Sequence, residues 1–339
     1  MNTHHSFPFS RGARRPGTLW AALCLLVCAL LLAPCPPVSA ADGAGTRPDA
    51  GAGFRVLATT FPVWLFTRNV CRDVPGVTVE LFVPAQTGCP HDFTPSPADL
   101  SRLAAAQAVV INGLGLEGFL ARPLRTLDKE QAVIDASRST EPLPAPAEDN
   151  GHDHGHADGP DHGAPGVNPH IFAGPAQAAI MVRTIGEGLA RRDAANAALY
   201  RANAAAYAER LAALAAGLAA IGREAPRKGI VLQHDDLAYL AHESGLETLA
   251  VLVAGDENSA LSAARLNALA RRLAAERPVL IAGEPPAPAR AVELLARETN
   301  VPAALLDPVA SGPADAPLTY YEQVMDANTK TLRRYFDAP

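Results

Sequence analysis

The sequence predicts an α/β fold of two parallel-sheet lobes joined by one long rigid helix. Three observations carry this expectation. Short apolar, β-branched runs alternate with helical segments, the pattern of strands that pair in parallel through helical crossovers. The alternation occurs in two blocks of similar size, and an unbroken helical stripe lies between them. The 339 residues, 48% of them hydrophobic, suffice for two cores.

Residues 54–59 read as the first strand, followed by a helix over 62–70. Residues 77–83 are rich in β-branched side chains and read as a second strand. A loop over 84–95 leads to Ser96-Pro97-Ala98-Asp99, which opens a helix: Ser as cap, Pro at the first helical position, an acid three residues after the cap. Residues 108–111 form a strand ending at Asn112-Gly113, and 132–135 form the next. Residues 141–166 carry Pro, Gly, Asp and His without apolar periodicity and read as a long surface loop. Helices are expected over 175–192 and 194–221. In the second of these, Tyr200, Tyr207, Leu211, Leu214, Leu218 and Ile221 form one apolar stripe. Such a helix would be about 40 Å long, a stiff connector between lobes. Strands at 229–233, 248–253, 279–282 and 303–306 then alternate with helices at 237–243, 262–276, 288–298 and 318–336. The domain boundaries follow: a leader over 1–40, a tail over 41–53, an N-terminal lobe over 54–193 with a His-rich loop at 148–166, a linking helix over 194–222 and a C-terminal lobe over 223–337.

The leader reads as a cleaved secretory signal. Arg11, Arg14 and Arg15 precede an apolar run over 19–33, and Val38-Ser39-Ala40 is a small-residue cleavage site. The run is short for a membrane span, and Pro34 before Cys35 disfavours lipid attachment. A periplasmic location is expected. Cleavage removes three arginines and no acid, so the mature chain is more acidic than the net −6 of the whole. No basic stripe follows the leader, which sets aside nucleic-acid binding. Only Cys71 and Cys89 remain after cleavage. In an oxidising compartment they form a candidate disulfide, while Cys89, two residues before His91, is alternatively a metal ligand.

Three histidines and one acid occupy telling positions. His91 lies in the loop after the second strand, His170 just before a helix, His234 directly after a strand, and Asp307 directly after another. Ligands of open α/β sheets bind beyond the carboxyl ends of strands. Two of these residues come from each side of the long helix, so facing lobes could close on one ion. Three imidazoles and a carboxylate fill the tetrahedral shell of Zn²⁺, whereas manganese favours more oxygen donors. Taken singly, each His also reads as an ordinary hydrogen-bonded residue, and Asp307, before Pro308, as a turn residue. His242 lies within a helix and reads as structural.

Together these residues carry a family resemblance. The segment Pro90-His91-Asp92-Phe93-Thr94-Pro95-Ser96-Pro97-Ala98-Asp99-Leu100, followed by a strand and Asn112-Gly113-Leu114-Gly115-Leu116-Glu117, resembles the first metal-binding region of the solute-binding proteins of zinc and manganese ABC importers. Asn168-Pro169-His170 resembles the second-ligand motif, usually Asp-Pro-His. Gln233-His234-Asp235-Asp236-Leu237-Ala238-Tyr239-Leu240 resembles the third, and Leu306-Asp307-Pro308 matches the carboxylate position. The resemblance covers residues 54–336. It implies one metal held between two lobes, a permease as partner and a monomeric receptor with no small organic substrate. Zinc-type members tend to carry His where this chain has His234. Two departures stand out: Asn168 replaces the usual Asp, and Pro90 stands where some zinc members place an acid. The fourth ligand is therefore Asp307, water, or both in exchange. Glu284 is expected to line the cleft without binding the metal.

His152, His154, His156 and His162 resemble a short version of the family's His-rich loop and are expected to bind Zn²⁺ weakly, as an auxiliary. Two alternatives stand beside the zinc receptor. One is a manganese or iron receptor of the same family. The other is a secreted zinc hydrolase, for which Glu284 is the evident base; neither His-Glu-x-x-His nor Gly-x-Ser-x-Gly occurs.

Overall fold

The protein is described from a computed structural model over residues 53–87, 93–126, 133–145, 166–253, 262–286 and 289–337. The leader, His91, Cys89 and the four loop histidines lie outside these residues.

Each lobe is built on a four-stranded, all-parallel sheet. In the first, β1 (Phe54–Ala58) is followed by helix α1 (Phe61–Val70), β2 (Val77–Leu81), α2 (Pro97–Ala105), β3 (Ala108–Ile111), α3 (Ala121–Thr126) and β4 (Val133–Asp135), in the order β2-β1-β3-β4. Ser96 and Asp99 cap α2 reciprocally, as their spacing predicts: the Asp99 N–H donates to the Ser96 hydroxyl and the Ser96 N–H to the Asp99 carboxylate. Helices α4 (Pro175–Arg192) and α5 (Ala197–Glu224) follow. The second sheet uses β5 (Gly229–His234), α6 (Ala238–Glu243), β6 (Glu247–Val253), α7 (Ala263–Glu276), β7 (Leu280–Gly283), α8 (Arg290–Thr299) and β8 (Ala303–Leu305), and α9 (Tyr320–Phe336) closes the chain. Its order, β6-β5-β7-β8, repeats that of the first. Strand β5 runs one residue further than expected, because His234 still pairs with Val253.

Alternation along the strands divides the packing. Val56 and Ala58 of β1, with Ile230 and Leu232 of β5, point into one core that runs through both lobes. Leu57 and Val231 point away into small outer clusters of their own lobes. Both faces are covered, which is why these strands read as continuous apolar runs. The stripe on α5 lies in the shared core, with Tyr200, Tyr207, Leu211, Leu218 and Ile221 buried. Helix α4 packs closely along it: Gly186 admits Ala204, whose Cβ would lie 2.5 Å from any Cβ at 186. Phe66 of α1 contacts Tyr321 of α9 edge-on at 5.1 Å and Tyr207 of α5 at 6.3 Å, tying the lobes through the helix.

Polar links cross the same boundary. Arg68 donates to the Ala316 carbonyl (2.6 Å), Asn69 to that of Leu318 (2.9 Å), and the Gly312 N–H to that of Ala85 (2.9 Å).

The candidate disulfide involves Cys89, which lies outside the described residues. Among the described residues Cys71 is a free, buried thiol, pushed up to about 12 by burial and by the nearby charge of Asp193. Helix α1 runs back from the carboxyl edge of the sheet, so Cys71, at its end, sits at the amino edge.

Candidate metal centre

In both sheets the strand order reverses beside the first strand, between β1 and β3 and between β5 and β7. These switch points open a crevice at the carboxyl ends of the strands, and the polar residues gather there.

On the N-terminal side, Glu117 is the anchor. Its carboxylate accepts from the Thr59 hydroxyl (2.7 Å) and from the backbone N–H groups of Asn112 (2.6 Å) and Gly113 (3.1 Å). Gly113 takes a φ of +88°, and a Cβ there would strike the Asp135 carboxylate; only glycine suits this turn. Asn112 in turn donates to the Pro169 carbonyl at 2.9 Å. The Asn112-Gly113…Glu117 motif therefore fixes the peptide that precedes His170. Burial pushes Glu117 up to about 7, against these hydrogen bonds.

Asn168 orients His170 itself. Its amide nitrogen donates to the Asp235 carbonyl across the lobe boundary (2.7 Å), which settles which end of the amide is oxygen. That oxygen accepts the His170 backbone N–H (2.9 Å) and lies 3.0 Å from His170 Nδ1. An amide oxygen only accepts, so Nδ1 carries the proton and Nε2 is the ring nitrogen with acceptor character. An acceptor oxygen is all this role requires, so Asn can stand where the family usually has Asp.

His234 ends β5, buried at 8% exposure. Its ring centre is 5.7 Å from that of His170, with the ring planes 71° apart. Two imidazoles on one tetrahedral zinc, at about 2.0–2.1 Å from nitrogen to metal, have centres about 5 Å apart. His234 Nδ1 lies 3.2 Å from Asp235 Oδ1 and 3.6 Å from Asp236 Oδ1. Burial pulls the imidazole down, but the hydrogen bond and charge of Asp236, then the charges of Asp235 and Glu284, outweigh it and lift His234 to about 10.

Asp307 follows β8 and shares with His234 a cavity of about 530 Å³. Its backbone is held on both sides by Asn328, which accepts the Asp307 N–H (2.9 Å) and donates to its carbonyl (2.8 Å). The Asp307 carboxylate accepts from the Val309 N–H (2.7 Å), and burial raises its pKa. The structure thus brings His170 and His234 together and sets Asp307 on the same cavity as His234.

Sequence reasoning missed Asp236. It lines the cavity at 7% exposure and joins His234 and Glu284 in a group whose ligand atoms all lie within 4.8 Å of one another. The signal was present: a second acid behind His234 at a strand end. It also missed Glu243, which reaches from α6 into the other lobe and accepts the first N–H groups of α4, from Ala176 (2.7 Å) and Gln177 (3.1 Å). Gly174 leaves the room; a Cβ there would lie against the Glu243 carboxylate.

Comparison with known proteins agrees with this geometry. Residues 56–335 match the family described as ZnuA, zinc-uptake complex component A periplasmic. The chain is 26% identical to the high-affinity zinc uptake system protein ZnuA of Bacillus subtilis, over 74% of this chain and 77% of that protein. It is 30% identical to the zinc-binding lipoprotein AdcA of Streptococcus pneumoniae, over 92% of this chain and 60% of that one. Among solved structures it is similar to the SBP FpvC of Pseudomonas aeruginosa in complex with Mn²⁺, with a TM-score of 0.69 and 29% identity, covering 84% of this chain and 98% of that one.

Proposed function

Because the chain belongs to the ZnuA family of zinc-uptake components, we propose that it captures Zn²⁺ between its lobes and delivers it to an ABC-type importer. The observation that carries this reading is the His170–His234 pair. Two buried rings stand 5.7 Å apart, close to the spacing of two imidazoles on one tetrahedral ion, and Asn168 fixes one of them through Nδ1. His91 supplies the third imidazole and Asp307 the carboxylate. The exported, periplasmic location and the monomeric state remain part of this proposal, as does a receptor role rather than catalysis.

The mechanism follows from the residues. Zinc binds deprotonated imidazole, so capture displaces the proton that Asp236 and its neighbours favour on His234. The cross-lobe links through Asn168, Glu243 and Gly312 restrain any swing, so closure is small. Release then depends on the permease drawing the ligands of one lobe away. The His-rich loop acts as a weak collector, and deletion of residues 150–163 leaves the tight site intact.

A manganese receptor is the second reading, favoured by one observation: the carboxylates of Asp236 and Glu284 beside His234 add hard donors. Competition titration of the metal-free chain from residue 41 against a chromophoric chelator, with Zn²⁺ and then Mn²⁺, separates the two. One tight zinc equivalent, weakened at least 100-fold in His170→Ala and His234→Ala, is expected. Tighter manganese than zinc would select the second reading, and no tight site would refute both.

A further inference from the structure

Asp236 and Glu284 have no part in the four-ligand centre, yet they stand against it. Asp236 lies in the tight turn after β5 and Glu284 directly after β7, the strand adjacent to β5. The Glu284 loop is held by Gln233, whose side-chain oxygen accepts the N–H groups of Glu284 (3.3 Å) and Ala289 (2.8 Å). With His234 these side chains place an imidazole nitrogen and two carboxylate oxygens within 4.8 Å of one another. Ligands of a four-coordinate ion at about 2.0–2.2 Å stand roughly 3.4 Å apart, so modest side-chain movement closes the set. The two carboxyls are buried and hydrogen-bonded to each other beside the imidazole, and burial with the Asp236 charge pushes Glu284 up to about 9. Two carboxyls buried together hold a shared proton that a divalent ion can displace, and Asp235 adds a third acid beside the same imidazole.

We propose that a divalent transition-metal ion has a second seat wholly within the C-terminal lobe, formed by His234, Asp236 and Glu284. His234 belongs to both seats, so one ion moves between them: the C-terminal lobe holds it alone before the N-terminal histidines engage and after they withdraw. One imidazole with two carboxylates is a harder donor set than three imidazoles, so this seat discriminates less between Zn²⁺, Co²⁺ and Mn²⁺. The proposal rests on the interlobe reading for its place in transport, but its ligands are independent of that reading.

The test uses the whole mature chain with His91→Ala and His170→Ala, which removes the N-terminal imidazoles. Co²⁺ is titrated by its visible absorption and Zn²⁺ by chelator competition. One residual equivalent is expected, at least 100-fold weaker than in the unmodified chain, and Asp236→Asn with Glu284→Gln weakens it at least a further tenfold. Glu284→Gln alone, the gentler change, weakens it at least fivefold, and melting curves establish that each variant is folded. Residual binding indifferent to the amide substitutions, or no residual binding at millimolar metal, would overturn the second seat. Full-strength binding after loss of both histidines would instead overturn the interlobe centre, and the amide substitutions would still decide the seat.

Discussion

Asn168 performs two separable tasks, and two substitutions tell them apart. Asn168→Ala removes its amide, a partner of three buried groups: the Asp235 carbonyl, the His170 N–H and His170 Nδ1. Each costs about 1–3 kcal/mol if nothing replaces the partner, and a water entering the vacated volume recovers part, so a loss of about 3 kcal/mol is expected. At roughly 2–4 °C per kcal/mol for a chain of this order of size, the metal-free melting temperature falls by about 6–12 °C. Loss of the group that orients a metal-binding histidine lowers affinity about 10–100-fold. Asn168→Asp keeps the oxygen facing His170 but sets a second oxygen against the Asp235 carbonyl, now 2.7 Å from a donor. It should hold zinc within a few-fold of the unmodified chain and still melt lower. Differential scanning calorimetry and competition titration on the same preparations measure both effects. If Asn168→Ala melts lower yet binds zinc unchanged, Asn168 is only a lobe-to-lobe link and the orienting argument for His170 fails.

Zinc affinity should rise with pH across the neutral range, by up to about tenfold per unit between about pH 7 and 9, because the proton held on His234 must leave before metal binds. Asp236→Asn should flatten that dependence towards the range of an ordinary imidazole; a flat profile in the unmodified chain would contradict the assignment. Burial raises Glu243 from 4.5 to about 7, so its contribution to the stability of the metal-free chain is full below about 4.5 and lost as pH rises through 7. Melting temperatures of Glu243→Gln and the unmodified chain, compared at pH 5 and pH 8, should differ less in their pH dependence for the variant, by at most about 3 kcal/mol. Cys71 should resist thiol reagents in the native chain and react on unfolding, since its thiol is buried and held up to about 12; rapid native labelling would refute its burial.

The strands were legible because each is a short apolar run bounded by turn residues, and the order of blocks made the two lobes visible. His234 and Asp307 were legible as strand-end residues for the same reason. The pairing of His170 with His234 was legible first from their places on either side of the long helix and then from the resemblance; spacing alone could not give it, because 64 residues and a lobe boundary separate them. Asp236 escaped because its partner Glu284 comes near only through the non-consecutive adjacency of β5 and β7, which no local pattern encodes. Glu243 escaped because it sits in a helix of one lobe and serves the amino end of a helix in the other. That Cys71 is buried at the end of α1 was not legible either, because burial there depends on the helices packed around it.

The core that passes from the first sheet through α5 to α9 also decides how the chain comes apart. The seam that the sequence suggests at residues 194–222 is no folding boundary: a cut there would strip partners from Phe66, Tyr207 and Tyr321 at once. Heating should therefore give a single endotherm whose calorimetric and van't Hoff enthalpies agree, despite two sheets of four strands each. Neither half should be obtainable as a soluble fragment. Halves that melt together cannot unfold separately, so a change that separates His170 from His234 must leave the shared core folded.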